Sequence, residues 1–559
     1  MKNPRYKRLG VALKKPAIAV QLSSLLLAGV CVMPAAQGAT LVWNGNGADN
    51  NWSTAGNWNP SAVPANPTLP AAPDVIRFGG STRLNPVVNA AATTNTTTWA
   101  VDAILFDAAA SSFTLTGSAI TFQPSNGADH DGRYFLKNNS GTTQTIDNDL
   151  IVKAAVPPGT TSGSGIHAGP AGGNLILNGN LDINGSSGVR FTSGVGTITL
   201  NGIVSGASGF LAVNDGATVV FNNTNTFTGG LTVWNGNAII GANSLKDQNG
   251  ALGKTGSVTV GHAGSPGTKI LTRAAVTVGQ DFATVKNTSN NAYTFGGDSA
   301  HISNFTGVIY NGALSGDANA IAVTAVAGGR ANIETITRRS NALATSLDTV
   351  TKTGAGIVAM VGTSNYSGQT NVNAGTFLVN GTLTATAPNS ASVGAVIVST
   401  TAKLGGTGAI NRAVTIQDGG IFAPGDINAS NVDQGGKLTL GAGLTLNNAS
   451  VLRFDLAGAG STTDDEVSIT GNLILDGQLN VTNLGGFGAG AYKLFDYTGT
   501  LTNNAVTFST MPSGFTYAID TASFANSVYL NVVAVPEPGM VSLVGIGFAF
   551  AFLRRRRVA

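Results

Sequence analysis

Short runs with apolar residues at every second position recur along most of the chain. Examples are Leu175–Leu177, Thr197–Leu200, Thr218–Phe221, Val276–Val278 and Leu444–Leu446. Each run can turn its apolar residues inward and its Thr, Asn or Asp residues outward, as a half-buried strand does. Turn dipeptides such as Asn178-Gly179 and Asp418-Gly419 separate the runs. Because no long stretch has helical periodicity, the pattern predicts an all-β body.

The number of these runs helps to decide which kind of β fold they form. Short strands about 6–12 residues apart can build a sandwich, a barrel or a solenoid. Here the pattern continues from residue 39 to residue 534, whereas single cores stop growing at about 250–300 residues. We therefore expect a right-handed parallel β-helix, which is a β-solenoid, with about 20–25 residues per coil.

The first 38 residues have the composition of a secretory signal peptide. The basic n-region contains Lys2, Arg5, Lys7, Arg8, Lys14 and Lys15. The apolar stretch Ala17–Met33 follows, and then small residues at Ala36 and Gly38. This order predicts cleavage after Gly38, so that the mature chain begins at Ala39. The lone Cys31 would leave with the signal, and the mature chain would then form no disulfide.

The last 25 residues combine a proline motif, an apolar stretch and a basic cluster. The motif is Pro536, Glu537 and Pro538, the apolar stretch is Gly539–Leu553, and the basic cluster is Arg554, Arg555, Arg556 and Arg557. Fifteen residues at about 1.5 Å each reach roughly 22 Å, less than the ~30 Å hydrocarbon core, so the stretch predicts a marginal transmembrane helix. The arginines should stay on the cytoplasmic side as a stop.

This tail resembles the PEP-CTERM sorting signal of Gram-negative bacteria. The resemblance rests on the Pro-Glu-Pro motif together with the apolar stretch, the arginines and the terminal position. It implies a partner, an exosortase, which is a membrane enzyme that removes the tail during export. The signal peptide implies the Sec translocon as a second partner. An ordinary tail anchor that is never cut is the alternative interpretation.

Parts of the body resemble the passenger regions of autotransporters. The segment Asn225–Gly236 recurs as Asn365–Gly375, and Thr351–Gly356 precedes the second copy. These segments are similar to autotransporter-associated β-strand repeats. The C-terminus here is a sorting tail and not a series of the ~10-residue amphipathic strands of a translocator barrel. Self-translocation is therefore not expected.

The expected organisation has five parts with soft boundaries. They are a signal peptide (1–38), an N-terminal β region (39–173), a β-solenoid with the repeats (174–432), a C-terminal β-solenoid segment (433–534) and the sorting signal (535–559). Residues 328–350 carry several charges and interrupt the repeat, so we expect a loop or an irregular coil there.

The charge balance of the body and the spacing of its histidines limit the classes of function that the sequence supports. The chain has 30 Lys+Arg and 27 Asp+Glu, but ten of the basic residues and only one acid lie in the two terminal signals. The body thus carries 20 basic and 26 acidic residues, which argues against nucleic-acid binding. The four histidines are isolated in sequence: His130, His167, His262 and His301. No catalytic residue, metal site or cofactor is therefore predicted.

Two features could still bind a ligand. The cluster Asp464-Asp465-Glu466 could hold Ca²⁺, although a solvated turn before Val467–Ile469 is favoured. The five tryptophans could stack on sugars, although filling or capping a β core is favoured. They are Trp43, Trp52, Trp58, Trp99 and Trp234.

The favoured function is a non-enzymatic, exported structural or adhesive protein of the cell surface or extracellular matrix. It would pass the inner membrane transiently and then reach the outer membrane, the cell surface or the medium, with exopolysaccharide as a candidate partner. A β-helical polysaccharide-degrading enzyme and a sugar-binding adhesin are the alternatives.

Overall fold

The structure is a computed structural model of the 559-residue chain. It describes residues 38–65, 73–89, 98–124, 134–153, 165–169, 171–184, 188–207, 209–262, 264, 267–285, 292–311, 319–338, 348–384, 393–430 and 432–536. The chain divides into two compact units, Met1–Ala36 and Gln37–Ala559. The first unit, which contains nearly all of the predicted signal peptide, lies outside the described residues.

The described part of the second unit is all-β, with a single short helical turn, the 3-10 helix Ala55–Asn57. Four ladders of strands, named here sheets A to D, account for nearly all of it. Sheet A comprises Thr40–Trp43, Trp58–Asn59, Val75–Phe78, Ala103–Phe106, Tyr134–Asn138, Gly165–Ala168, Gly188–Ser193, Phe210–Val213, Leu231–Val233, Ser257–Val260, Thr277–Val278, Asp281–Thr284, Ile302–Asn311, Arg330–Arg338, Ile357–Met360, Thr376–Val379, Lys403–Gly405, Ile421–Phe422, Val451–Leu456, Gln478–Asn483 and Thr507–Phe508.

Sheet B is the second long ladder. It comprises Val87–Val88, Thr114–Gly117, Gln144–Ile146, Leu175–Leu177, Thr197–Leu200, Thr218–Phe221, Asn237–Ile240, Lys269–Thr272, Tyr293–Gly297, Ile321–Ala325, Val350–Thr353, Thr370–Val372, Val396–Val398, Val414–Ile416, Leu444–Leu446, Leu473–Leu475 and Leu501–Asn503.

Sheets C and D are shorter, and a small hairpin stands apart from all four. Sheet C comprises Thr98–Val101, Ala119–Phe122, Leu150–Val152, Leu181–Asp182 and Val204–Ser205. Sheet D comprises Thr363–Ser364, Thr382–Leu383, Ala409–Ile410, Lys437–Leu440, Glu466–Ile469, Gly490–Tyr497, Phe515–Asp520 and Ser527–Ala534. The hairpin consists of Asp426–Ile427 and Asp433–Gln434.

Apart from the antiparallel pairs at the two ends of the body, strands of these sheets pair in parallel with the strand of the same sheet in the next coil. In sheet B, Leu175 pairs with Ile198, which pairs with Val219, which pairs with Ala238. The chain therefore returns to sheets A and B in successive coils, as in a β-solenoid. The coil length varies more than the predicted repeat, because Val398 pairs with Ile416, 18 residues later, whereas other coils contain inserted loops.

The third side of the coil changes along the chain. Early coils run from sheet A to sheet B to sheet C, as in Ala103–Phe106, Thr114–Gly117 and Ala119–Phe122. Later coils run from sheet A to sheet D to sheet B, as in Ile357–Met360, Thr363–Ser364 and Thr370–Val372. In between, the described coils contain strands of sheets A and B only. The short third strand thus moves from the segment after sheet B to the segment before it.

One continuous hydrophobic cluster, from Leu41 to Val532, fills the interior of the coils. The period-two pattern predicts its members: Ile198 is fully buried, while its neighbour Thr199 is half-buried on the outer face. The expectation of a loop or an irregular coil in residues 328–350 is wrong for Arg330–Arg338, which is a nine-residue strand of sheet A, and residues 339–347 lie outside the described residues. Its apolar residues Ile333 and Ile336 are buried in the core, and this alternation outweighs the charges.

Two kinds of glycine turn separate the strands. Asp-Gly turns have a positive φ at glycine, +77° at Gly216 and +73° at Gly419, where a glycine avoids strain. The Asn-Gly turns at Gly179 and Gly202 are different. A Cβ at Gly202 would lie 2.0 Å from the carbonyl oxygen of Gly179 in the coil before it. Close contact between coils, and not a positive φ, therefore requires the glycine in these Asn-Gly turns.

Candidate functional site

The body ends in an antiparallel cap that leads directly into the predicted sorting motif. The last strand, Ser527–Ala534, lies between Gly490–Tyr497 and Phe515–Asp520 and is antiparallel to both. Val535 still donates a backbone hydrogen bond to the Gly514 carbonyl at 2.9 Å, and Pro536 is exposed. The motif therefore begins at the surface, one residue after the last backbone contact.

The rest of the predicted tail lies outside the described residues. This includes Glu537, Pro538, the apolar stretch Gly539–Leu553 and the cluster Arg554, Arg555, Arg556 and Arg557. Among the residues that the structure does describe, no helix has the length and apolar character needed to cross a membrane.

The predicted signal cleavage site lies beside a buried carboxyl group. Gly38 is half-buried and Ala39 is exposed at the start of the first strand, Thr40–Trp43. The Ala39 N–H donates to Asp74 Oδ1 at 2.7 Å, and the Ala39 carbonyl accepts a bond from Val75 N–H at 2.9 Å. The first residue of the predicted mature chain thus directly precedes the first strand and is held by these two backbone hydrogen bonds.

Four of the five tryptophans form a buried aromatic cluster at the N-terminal end of the sheets. Trp43 and Trp58 have ring centroids 5.0 Å apart, and Trp52 lies 5.5 Å from Trp58 and 5.9 Å from Trp99. All four are at most 2% exposed, which confirms the core-filling interpretation for them. Trp234 is half-exposed, with the Arg190 guanidinium 5.0 Å from its ring.

The predicted carboxylate cluster binds backbone amides of its own chain. Asp464 Oδ1 accepts the Ala457 N–H at 2.6 Å, and the two oxygens of Asp465 accept the N–H groups of Gly436 and Asp455, both at 2.8 Å. Asp465 is fully buried, so the solvated-turn interpretation is wrong for this residue. Burial raises the pKa of the Asp465 carboxyl to about 9.

The three histidines that the structure describes lie on separate segments of the body. His167 lies on sheet A, where its Nδ1 is 2.8 Å from Thr192 Oγ1 and its ring stacks on Tyr134 at 4.7 Å. His262 and His301 are exposed, and His130 lies outside the described residues. Over the described part of the chain, no group of three His, Cys, Asp or Glu side chains could hold a metal ion.

The sequence analysis did not identify two of the buried cations, Lys352 and Arg412. Lys352 is fully buried, and its Nζ donates to the carbonyl oxygens of Thr353, Gly354 and Ala374 at 2.7–2.9 Å. Desolvation lowers the pKa of Lys352 to about 8. Its position within Thr351–Gly356, the segment before the second repeat copy, was the one sequence signal that could have identified it.

Arg412 is the second buried cation, at 2% exposed. Its guanidinium donates to the carbonyl oxygens of Thr384, Gly368 and Tyr366 and lies over the Tyr366 ring. Desolvation lowers the pKa of Arg412 from its usual value. Both cations bind backbone carbonyls of neighbouring coils, so their role is to hold coils together.

A polar groove opens where sheet C ends. Its volume is about 350 Å³, and its lining includes Asp182, Ser205, Thr226 and Thr228. The groove forms because Val204–Ser205 is the last strand of sheet C and the next coil has no strand at this side. Hydroxyl, amide and carboxylate groups line it, so it suits a small hydroxylated ligand.

Comparison with known proteins finds two similarities. Residues 534–557 match the PEP-CTERM protein-sorting motif, which confirms the prediction of this signal. Over 169 residues the chain is 32% identical to the adhesin BmaC autotransporter of Brucella suis biovar 1. The match covers 29% of this chain and 5% of the adhesin's length.

These two findings show what the two parts of the chain are similar to. The chain carries a PEP-CTERM sorting motif at the end of an all-β, parallel-stranded body, and that body includes a segment similar to an autotransporter adhesin. Together they support export of the protein to the cell surface.

Proposed function

We propose that this protein is a non-enzymatic structural or adhesive component of the cell surface or extracellular matrix, sorted by an exosortase that acts on its C-terminal tail. The match of residues 534–557 to the PEP-CTERM protein-sorting motif carries this proposal. Secretion through the Sec translocon would bring the chain to the outer side of the inner membrane before the tail is processed.

The position of the motif fits recognition by a membrane enzyme. Pro536 is exposed immediately after the capping strand Ser527–Ala534. Proline favours an extended backbone at the residue before it, and an extended peptide suits an enzyme that cuts a chain. The folded body would then be held close to the membrane until the tail is removed.

A right-handed parallel β-helix with closed coils is the fold that we propose for the body. The parallel pairing from coil to coil and the continuous core support it. Such a stack presents long polar faces, which suit a matrix or adhesive role. Exopolysaccharide is the partner that we propose for these faces.

The contacts of the clustered and buried charged side chains also favour a structural role. Asp464, Asp465, Lys352 and Arg412 all bind the chain's own backbone. The competing proposal is a β-helical polysaccharide-degrading enzyme. Incubation of the purified protein with acidic and neutral polysaccharides distinguishes the two, because release of reducing or unsaturated ends would contradict the structural role.

A sugar-binding adhesin without catalysis is the second candidate, and the polar groove beside Asp182 favours it. Retention on an immobilised polysaccharide without turnover would support it. Asp182→Asn and Thr228→Ala should weaken such retention, whereas Thr199→Ala, on the outer face of sheet B, serves as a matched control.

The sorting step has its own experiment. Replacing Pro536, Glu537 and Pro538 by alanines should leave uncut protein in the inner membrane, read by fractionation and by mass spectrometry of the C-terminus. Ser542→Ala keeps the motif and the arginines and should be processed normally. Deleting Arg554 to Arg557 should remove the cytoplasmic stop. If wild-type protein from the cell surface still carries Arg557, the tail is an anchor only.

A further inference from the structure

We propose that Asp74 is a built acceptor site for the α-ammonium group that signal-peptide cleavage creates at Ala39. Hydrolysis of the Gly38–Ala39 amide by water leaves a carboxylate on Gly38 and an ammonium group on Ala39. The new ammonium then forms an ion pair with Asp74, and this pair fastens the first strand to the body. Cleavage of the precursor thereby completes the N-terminal end of the fold.

The geometry is already in place before cleavage. The Ala39 nitrogen lies 2.7 Å from Asp74 Oδ1, within the range of a charge-assisted hydrogen bond. The Ala39 carbonyl is held by Val75 N–H at 2.9 Å, and Thr40 pairs with Val75 in the parallel ladder. The nitrogen would therefore need no displacement when it becomes a charged terminus.

The charge balance at Asp74 is the second observation. Asp74 is 6% exposed, and its Oδ2 accepts the Ala65 N–H at 2.7 Å. Both donors that the described residues supply to this carboxylate are neutral amides, and no lysine or arginine among them forms an ion pair with it. A buried carboxylate without a cation is costly, and a terminal ammonium at Ala39 supplies that cation.

The pair would stabilise the aromatic end of the solenoid. The strand Thr40–Trp43 carries Leu41 and Trp43, both 1% exposed, and Trp43 contacts Trp58. Asp74 directly precedes the strand Val75–Phe78, whose Phe78 joins the same aromatic cluster. A bond between Ala39 and Asp74 therefore ties the first strand of sheet A to the second coil at its outermost point.

The reactivity of the terminal amine gives the first test. The full mature chain, residues 39–559, is produced in detergent from a fusion whose protease leaves Ala39 as the first residue. An amine-reactive reagent at neutral pH then labels the α-amine. Pairing with Asp74 should raise the pKa of the amine, and one unit reduces the reactive fraction about tenfold. Labelling should therefore be about tenfold slower in the wild type than in Asp74→Asn.

A one-residue extension gives the matched comparison and does not depend on the folding of the Asp74 variant. Retaining Gly38 keeps the Ala39 amide and Asp74 but moves the charge one residue away. Labelling of this form should be as fast as that of a free peptide. Endoproteases should also cut its N-terminal strand faster than that of the form that begins at Ala39.

Two results would overturn the proposal. One is equal labelling rates in the wild type, Asp74→Asn and the extended form. The other is N-terminal sequencing of protein exported by the cell that finds a first residue other than Ala39. Neither result bears on the sorting tail, so the proposed function and this inference can fail independently.

Discussion

The guanidinium of Arg412 lies 4.4 Å from the ring centroid of Tyr366, and both side chains are fully enclosed by the coils. Arg412 also donates hydrogen bonds to the backbone carbonyls of Thr384 and Gly368, which belong to preceding coils. Tyr366 belongs to the second copy of the repeat, so the cation fixes this repeat to the coils that follow it. Three carbonyl acceptors and one aromatic face compensate for the burial of the charge.

Removal of this cation should be strongly destabilising. Arg412→Met leaves the three carbonyl groups buried without a donor, and we expect a loss of about 3 kcal/mol in the free energy of unfolding. Guanidinium titration followed by circular dichroism measures it. Arg453→Met, at an exposed position of sheet A, should change stability by less than about 0.5 kcal/mol. Similar losses in both variants would contradict the role of Arg412.

The period-two assignment of sheet B can be tested at two adjacent residues. Ile198→Asp places a charge in the apolar core and should cost several kcal/mol, on the order of 4 kcal/mol. Thr199→Asp lies on the outer face, where its charge stays hydrated, and should cost about 0.5 kcal/mol or less. Thermal or chemical denaturation of both variants compares them, and equal stability would show that the register is wrong.

Two neighbouring glycines separate contact between coils from backbone strain. A Cβ at Gly229 would lie 1.9 Å from the Gly209 carbonyl oxygen, whereas Gly230 has φ +91° and open space around it. Gly229→Ala must push two coils apart and should cost several kcal/mol. Gly230→Ala meets only the strain of a positive φ and should cost about 1–2 kcal/mol. The reverse order, measured by denaturant midpoints, would refute this account.

Lys352 should make stability depend on pH in an alkaline window. Its pKa is about 8 in the folded protein and 10.5 as the ordinary value. The unfolded chain therefore binds more protons between these values, so stability rises with pH there and is constant below about pH 8. The stability difference between wild type and Lys352→Met should move by about 2 kcal/mol in favour of wild type between pH 7 and pH 9.5. A constant difference would mean that Lys352 does not titrate in this range.

A row of asparagine side chains on the outer surface should add smaller amounts to the free energy of unfolding. Asn201 Nδ2 donates to Asn178 Oδ1 at 2.7 Å, and Asn222 Nδ2 donates to Asn201 Oδ1 at 2.8 Å. Because these bonds are exposed, we expect Asn201→Ala to cost only about 1 kcal/mol. Asn222→Ala, which removes one of these two side-chain bonds, should cost less. The same denaturant titration compares them.

The local pattern of the sequence predicted the strands and the faces that they bury. Alternation is a property of each short segment, so runs such as Thr197–Leu200 show their inward residues without knowledge of their partners. The sorting motif at Pro536–Pro538 was predictable for the same reason, because residue order alone defines it.

Only the tertiary structure decided which residues meet across coils. The interval between stacked strands varies with inserted loops, so no fixed period in the sequence brings Arg412 to Tyr366 or Asp74 to Ala39. The stacking of coils also explains why the Asn-Gly turns need glycine. A side chain at Gly202 would collide with the Gly179 carbonyl of another coil, whereas the φ of Gly202 does not itself require glycine. Local alternation is encoded residue by residue, whereas contacts between coils depend on the length of every loop between them.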